Sequence, residues 1–139
     1  MAADWPIQDA IYNRLSGFAG LSALVQGVYD YLPQELADVD SEFPYVVTGE
    51  LSGEPWDTDD VLGGEYRILV HTFSRYRGKR EPALIMRQVY LALHRYELPV
   101  TGYNLVTCEW DQLSTLMTDP DGLTRHGVQR FRILVDEAV

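Results

Sequence analysis

The C-terminal third of the chain contains two long stretches separated by a reversal signal, Asp119-Pro120-Asp121-Gly122. Proline, aspartate and glycine in this arrangement are typical of a tight turn. In the second stretch, Thr124 to Val135, residues alternate between two sets. Phe131, Ile133 and Val135 form the inward set, and Arg130, Arg132 and Leu134 form the outward set. A period of two is typical of a strand with one face in the core. The pattern predicts a long C-terminal β-hairpin, with Val106, Cys108 and Trp110 as the inward residues of its first strand.

The length of this hairpin limits its shape. Fully extended at roughly 3.3 Å per residue, Tyr103 to Met117 would span about 50 Å. A compact chain of 139 residues has a diameter of only about 37 Å. Two alternatives follow: the strand bends near Gln112 to Ser114, or the tip at Asp119 to Leu123 projects and reaches a neighbouring subunit.

Two amphipathic helices are predicted. Asp4 and Pro6 favour the start of a first helix with apolar residues at helical spacing as far as Phe18, and Gly17 and Gly20 favour its end. Pro82 favours the start of a second, which runs to about Tyr96 with one apolar face toward the core. On its opposite side, Leu84 and Leu91 lie one heptad apart among polar residues. They are either a contact surface or two ordinary exposed leucines.

Four further strands are predicted between and after these helices. Apolar and β-branched runs bounded by proline and glycine indicate them, and Thr101-Gly102 resembles a two-residue hairpin turn. The segment from Gly53 to Gly64 is predicted to be a long, mobile loop. The predicted strands are Val28 to Tyr31, Tyr45 to Glu50, Arg67 to Phe73 and Leu98 to Val100. The fold class is therefore α+β.

Composition excludes several classes of protein. A chain of 139 residues, 46% hydrophobic and 23% charged, is typical of one folded domain, here 1–139. Its net charge of −10 disfavours general nucleic-acid binding. We expect no membrane partner and no export, because no apolar run approaches the roughly 20 residues of a membrane helix and no leader is evident. One cysteine, Cys108, excludes an internal disulfide and suits a reducing compartment.

Charge is unevenly distributed along the sequence. No lysine or arginine lies between Leu15 and Tyr66, a stretch that carries eleven acidic residues. Basic residues cluster instead at Arg75, Arg77, Lys79 and Arg80. Such runs are often merely solvated loops. The alternative hypothesis is that identical copies join head to tail in a ring, the basic loop of one meeting the acidic loop of the next at Asp57, Asp59 and Asp60.

No catalytic, metal or cofactor site is predicted. His71, His94 and His126 lack ligand spacing, and Cys108 resembles a small core residue. The aspartates between 57 and 60 lack the spacing of a calcium loop. Phosphate-binding, dinucleotide-binding and serine-hydrolase motifs are all missing from the sequence. We therefore expect a protein that is not an enzyme.

Four segments taken together resemble the tail completion family of long-tailed phages, also called tail terminators or head-to-tail joining proteins. They are VYDYLP at 28–33, FPYVVTGE at 43–50, FSRYRGK at 73–79 and DPDGLTRHGVQRFR at 119–132. Their order matches as well, and the last is the most specific. The resemblance extends from about Ile7 to Leu134. The family occurs in phages, prophages and gene transfer agents.

The resemblance implies a compact α+β subunit with a mostly antiparallel sheet and helices on one face. It implies a hexameric ring at the neck that caps the tail tube, stops its growth and joins it to the head. The implied partners are the tail tube protein and a head-neck stopper protein, with assembly in the bacterial host cytoplasm. DNA would pass through the lumen without specific binding. Acidic loops would either line that lumen or face the next ring.

Other functions remain open at this stage. The chain could be another neck component, such as a stopper, or a tail tube subunit, which would stack on copies of itself. A more distant alternative is a small ligand-binding or catalytic domain that uses His71 and His126. The candidate interface residues are Arg75, Arg77, Lys79, Arg80, Leu84, Leu91, Asp57, Asp59, Asp60, Asp119, Asp121 and Arg125.

Overall fold

The computed structural model describes residues 1–137 and shows an α+β fold. Its helices are α1 (Asp4–Ser16), α2 (Ala19–Ser22), α3 (Gln34–Ala37) and α4 (Arg80–Leu93), with a 3₁₀ turn at Asp40–Glu42. Its strands are β1 (Gly27–Tyr29), β2 (Tyr45–Pro55), β3 (Gly63–Ser74), β4 (Tyr103–Thr118) and β5 (Arg125–Glu137). They form one five-stranded sheet in the order β1-β2-β3-β5-β4.

The sheet is antiparallel except at one edge. β2 pairs with β3, β3 with β5 and β5 with β4 in antiparallel register, whereas the short β1 runs parallel to β2. β4 and β5 form the predicted C-terminal hairpin. The mostly antiparallel α+β fold predicted from the sequence is therefore confirmed.

Both long helices cover the same face of the sheet. On α1, Gln8 Nε2 donates to Thr48 Oγ1 at 2.6 Å, and on α4 the Met86 carbonyl accepts from Gln129 Nε2 at 3.0 Å. The core lies between these helices and the sheet. Its fully buried side chains include Ile7, Ile11 and Leu15 of α1, Ile85 and Leu93 of α4, Ile68 and Val70 of β3, and Phe131 and Ile133 of β5.

The helix boundaries differ slightly from the prediction. Ala3 occupies the N-cap of α1, so Asp4 lies in the first turn of the helix. Its negative charge there interacts favourably with the helix dipole, and it does not act as the cap. α4 begins at Arg80 and ends at Leu93, which leaves Tyr96 outside the helix. Tyr96 instead packs against Arg14, whose guanidinium carbon Cζ lies 3.6 Å from the centroid of the Tyr96 ring. Proline is tolerated in the first turn of both helices because the N–H groups there have no intrahelical partner.

The predicted inward set of β4 is wrong at Val106, which is 47% exposed. Cys108 is buried, and Trp110 lies on the same inner face, opposite Phe131, although its side chain is 39% exposed at the margin of the core. The pairing register with β5 shifts between Leu105 and Thr107. This bulge places Leu105, which packs against the core, on the same side as Cys108. A strict period of two could not anticipate the extra residue.

A second irregularity bends the long strand. The register shifts again between Trp110 and Ser114, where Gln112 has a φ of 63°. A positive φ is costly for a residue other than glycine, so it marks a local break in the extended chain. Of the two alternatives set by the length of the strand, the bend near Gln112 to Ser114 is therefore confirmed.

Two other connections differ from the prediction. Leu98 and Val100 are buried, but the segment pairs with no strand among residues 1–137. Thr101-Gly102 is a simple turn closed by Tyr103 N donating to Val100 O at 3.1 Å. The loop predicted from Gly53 to Gly64 is only seven residues long, 56–62, because β2 extends to Pro55 and β3 begins at Gly63.

Candidate interaction surfaces

The acidic and basic loops lie at opposite ends of the sheet. β3 begins at Gly63, directly after the acidic loop 56–62, and ends at Ser74, directly before the basic loop 75–79. Its 12 residues separate the two loops by about 40 Å at roughly 3.3 Å per residue. The two loops therefore cannot meet within one subunit, and any pairing between them must join different copies.

The acidic stretch seen in the sequence is divided between these two ends. Its first part, with Asp38 and Asp40, lies beside the basic loop, because β1 and β2 are parallel and the connection between them returns to the end where β2 begins. Its later part forms the loop at the other end. The acidic stretch therefore does not form one continuous surface.

Arg75 joins three segments within its own subunit. Its guanidinium forms ion pairs with Asp38 and Asp40, and its Nε donates to Thr124 Oγ1 at 3.1 Å. It also lies 4.4 Å from the ring centroid of Phe43. The hydrogen bond to Asp40 is the main cause that raises the pKa of Arg75. With a side chain only 14% exposed, Arg75 is a clamp inside the subunit.

The rest of the basic cluster faces solvent. Arg77, Lys79 and Arg80 are exposed and form no ion pair within residues 1–137. They lie between the end of β3 and the first turn of α4. These three side chains, without Arg75, remain candidates for contact with another protein.

The tip of the hairpin is an ordered turn. Asp121 accepts hydrogen bonds from the backbone N–H groups of Leu123 and Thr124, each at 2.8 Å, and from Thr124 Oγ1 at 2.7 Å. Arg125 donates to the Leu123 carbonyl at 2.7 Å. The Asp119 backbone N–H bonds Thr124 O at 2.8 Å. Asp119, Asp121 and Arg125 thus build the tip and present Leu123, which is 49% exposed.

We predict that the tip resists acid to an unusually low pH. The Thr124 and Leu123 hydrogen bonds lower the pKa of Asp121 to about 2. A carboxylate with a depressed pKa stabilises the fold above its unfolded pKa and loses that effect as the pH falls through the folded value. The Thr124 amide resonance should therefore titrate with a midpoint near 2. A midpoint near the ordinary value for aspartate would contradict this arrangement.

The acidic loop is closed by its own hydrogen bonds. Asp57 Oδ1 accepts from the Gly63 backbone N–H at 2.9 Å, and Thr58 N donates to Val61 O at 2.9 Å. Asp59 and Asp60 are exposed and form no ion pair in the described part of the chain. Asp57 therefore shapes the loop, and the other two aspartates provide its outward charge.

The two leucines on α4 are exposed as predicted. Leu84 is 39% exposed and Leu91 is 45% exposed. Neither leucine lines the groove between α4 and the hairpin, which has a volume of about 450 Å³. Its lining residues are Ala83, Met86, Arg87, Tyr90, Trp110, Ser114, Leu116 and Gln129.

The sheet face away from the helices carries an ion-pair network that the sequence reasoning missed. Arg67 and Arg130 both bond Asp111, at 3.0 and 2.9 Å, and Arg132 bonds Glu109 at 3.0 Å. Glu65 contributes to the same network, and the hydrogen bond from Arg132 is the main cause that lowers its pKa. Alternation identified the outward arginines. Their partners depend on the register between strands, which a single strand pattern does not contain.

Two histidines meet on the same face, nearer the hairpin tip. His71 Nδ1 and His126 Nε2 are 2.8 Å apart, and Glu50 and Asp119 flank the pair at 3.1 and 3.4 Å. Burial is the main cause that lowers the pKa of His126, and Asp119 opposes that effect. The rings stack beside Phe73, with 4.4 Å between the centroids of Phe73 and His126. The distant alternative of a ligand-binding or catalytic domain named these two histidines together, and the register of β3 and β5 brings them into contact although they are far apart in sequence.

We predict that Cys108 is inert in the native protein. Burial raises the pKa of its thiol to about 12, and only the thiolate reacts quickly. Ellman's reagent at pH 8 should react with this cysteine only after denaturation. Rapid reaction of the folded protein, at a rate that approaches that of the unfolded chain, would contradict the buried position.

Two negative findings concern the described residues. Between residues 1 and 137 no three His, Cys, Asp or Glu side chains are arranged to hold a metal ion. Over the same part of the chain, no helix has the length and apolar character needed to cross a membrane.

Comparison with known proteins identifies clear relatives. The family model described as tail completion protein gp17 matches residues 9–136. A protein named tail completion protein gp17 of Bacillus phage SPP1 is 27% identical over 130 residues, which cover 94% of this chain and 92% of that protein. A solved chain from the virion of a native gene transfer agent particle superposes with a TM-score of 0.87 at 21% identity, covering 97% of this chain and 98% of the other. This likeness shows a shared fold.

Proposed function

This chain belongs to the tail completion protein gp17 family, and from that membership we propose that it forms a hexameric ring that caps the tail tube, ends tube growth and joins the tail to the neck. As a tail completion protein it is a structural component of a phage or phage-like particle. The hexamer, the cap and the neck joint are the proposed part. The whole chain 1–139 would act as one domain.

The extent of the family match is the observation that carries the proposal. Residues 9–136 include most of α1, all five strands and α4. The match therefore covers the core and also both loops and the hairpin, which are the surfaces proposed here for assembly. A match confined to a few strands would support the fold without those surfaces.

A cap also needs two different contact surfaces. One must bind the end of the tube and the other must bind the neck, and the two must not bind each other, or copies would polymerise. The two ends of this sheet carry different charged groups, as two different partners require. One presents Asp59 and Asp60, and the other presents Arg77, Lys79 and Arg80 beside acidic residues such as Asp38. We assign the tail tube protein and a head-neck stopper protein to these two ends.

Charge suits a ring through which DNA passes. The net charge of −10 makes retention of a phosphate backbone unfavourable. We propose that DNA traverses the lumen without specific binding. The acidic loop 56–62 would either line the lumen or face the adjacent ring. The proposal includes no catalytic step, since a structural role requires none.

Deletion of the gene alone tests this function. Electron micrographs of lysates should show overlong tubes beside filled heads without tails, and the wild-type gene in trans should restore joined particles. Tails of normal length on filled heads in the deletion strain would overturn the proposal. Tubes that fail to form at all would indicate a tube subunit instead.

A further inference from the structure

We propose that the groove between α4 and the β-hairpin receives Tyr31 of a second copy of this chain, with Asp30 of that copy paired to Arg87. The inference deepens the proposed ring and rests on it. Tyr31, at 75%, is the most exposed of the large hydrophobic residues described. Both residues directly follow the end of β1.

The strand order places the groove and Tyr31 on opposite sides of the subunit. The groove borders β4, which forms one edge of the sheet, and Tyr31 follows β1, which forms the other edge. A closed ring of identical subunits requires that kind of arrangement: one side of each copy contacts the different, opposite side of the next. A twofold pair would instead bring the same side of each copy together.

The two positions also lie at the same level across the sheet. Tyr29 pairs with Val47, Val47 with His71, His71 with Val128 and Val128 with Thr115. This row ends at Thr115. The neighbouring pairs on either side, Ser114 with Gln129 and Leu116 with Gly127, include residues that line the groove. A cyclic ring has no rise from one copy to the next. If the strands run along the ring axis, a residue of one copy can therefore contact only residues at the same height along that axis in the next copy.

The chemistry of the groove favours a tyrosine. Its walls include Tyr90, Trp110 and Leu116, and Tyr90 meets Trp110 edge to face with 6.3 Å between ring centroids. An aromatic ring suits such walls. Beside its floor, the buried Gln129 Oε1 has no hydrogen-bond partner within residues 1–137. A phenol carries a hydroxyl donor into a groove that Gln129 lines, which an aliphatic side chain such as Leu36 or Val39 does not.

Charge at the two sites is complementary. Arg87 lines the groove, is exposed and forms no ion pair in the part of the chain that the structure describes. Asp30, adjacent to Tyr31, is likewise exposed and without an ion pair over residues 1–137. An Asp30 to Arg87 contact between copies would fix the register of the docked tyrosine. Each charge can also be reversed at little cost to the isolated subunit.

A charge-reversal cycle tests the contact. In the deletion host, Asp30→Arg or Arg87→Asp alone should lower the yield of joined particles by about tenfold or more. The double variant should recover to within about threefold of wild type. Glu35→Arg, an exposed acidic residue on the same side, is the matched control and should match wild type. Unaffected single variants, or a double variant as poor as the singles despite an unchanged melting temperature, would overturn the proposal.

A cysteine pair provides the second measurement. Oxidised particles that carry Tyr31→Cys and Ser114→Cys should yield covalent multimers of this chain, and either change alone should yield none, because Cys108 is buried. Monomers only, or a link to a different virion protein, would overturn the contact. If the contact fails either test while the wild-type gene still restores joined particles in the deletion host, the proposed function stands and only the contact is refuted. A deletion without effect on tails would instead refute that function.

Discussion

Replacement of Phe131 with alanine should lower the free energy of unfolding by about 3 to 5 kcal/mol. Phe131 is fully buried at the centre of the inner sheet face, paired with Ile68 of β3 and Trp110 of β4. Its truncation removes apolar contacts and leaves a cavity that the surrounding strands and helices cannot fill. Urea denaturation of the variant and the wild type measures the difference.

Leu84→Ala is the matched control for this prediction. Leu84 is 39% exposed on α4, so its truncation should change the free energy of unfolding by no more than about 0.5 kcal/mol. Equal losses for the two variants would show that the core lies elsewhere. If Leu84→Ala reduces particle yield without a loss of stability, the leucine acts at an interface rather than in the fold.

Replacement of Arg75 with alanine should detach the segment around Asp38 from the hairpin tip. The guanidinium forms ion pairs with Asp38 and Asp40 and bonds Thr124 Oγ1 on the other side. We expect a loss of about 1 to 2 kcal/mol, since both aspartates are largely exposed and can return to water. Amide hydrogen exchange near residues 38–42 and 121–124 should rise together.

Arg77→Ala serves as the control for Arg75. Arg77 lies two residues away, is exposed and has no ion pair within residues 1–137, so amide exchange at both segments should be unchanged. An equal effect of the two variants would mean that general positive charge, rather than the Arg75 contacts, holds these segments. A loss of particle yield specific to Arg77→Ala would support its place at a contact surface.

Local periodicity in the sequence predicted α4 and the C-terminal hairpin well. The apolar face of α4 and the alternation around Phe131 each reflect burial on one side of a single element, which is a property of neighbouring residues. The comparison of strand length with domain size gave the bend near Gln112 as one of two alternatives, the other being a projecting hairpin tip. Helix starts were displaced by a residue or two because Asp4 and Pro6 are compatible with several positions in a first turn.

The errors arose where the structure depends on contacts between distant segments. The bulge at Val106 reverses the alternation before Cys108, and Trp110 lies on the inner face but borders a groove at its margin rather than filling the core. The Arg75 clamp depends on the parallel pairing of β1 and β2, which returns Asp38 to the basic end. The meeting of His71 and His126 requires the register of β3 and β5. None of these pairings follows from the pattern of one segment.

The most direct test of the central claim is reconstitution with purified components. Tail tube protein should be polymerised with and without this chain, and tube lengths measured by electron microscopy over time. The account predicts that the chain arrests growth at a constant length, with a gold-labelled ring at one end of each arrested tube. Tubes that lengthen at the same rate with the chain present, or that carry it along their length, would contradict the role of a terminal cap.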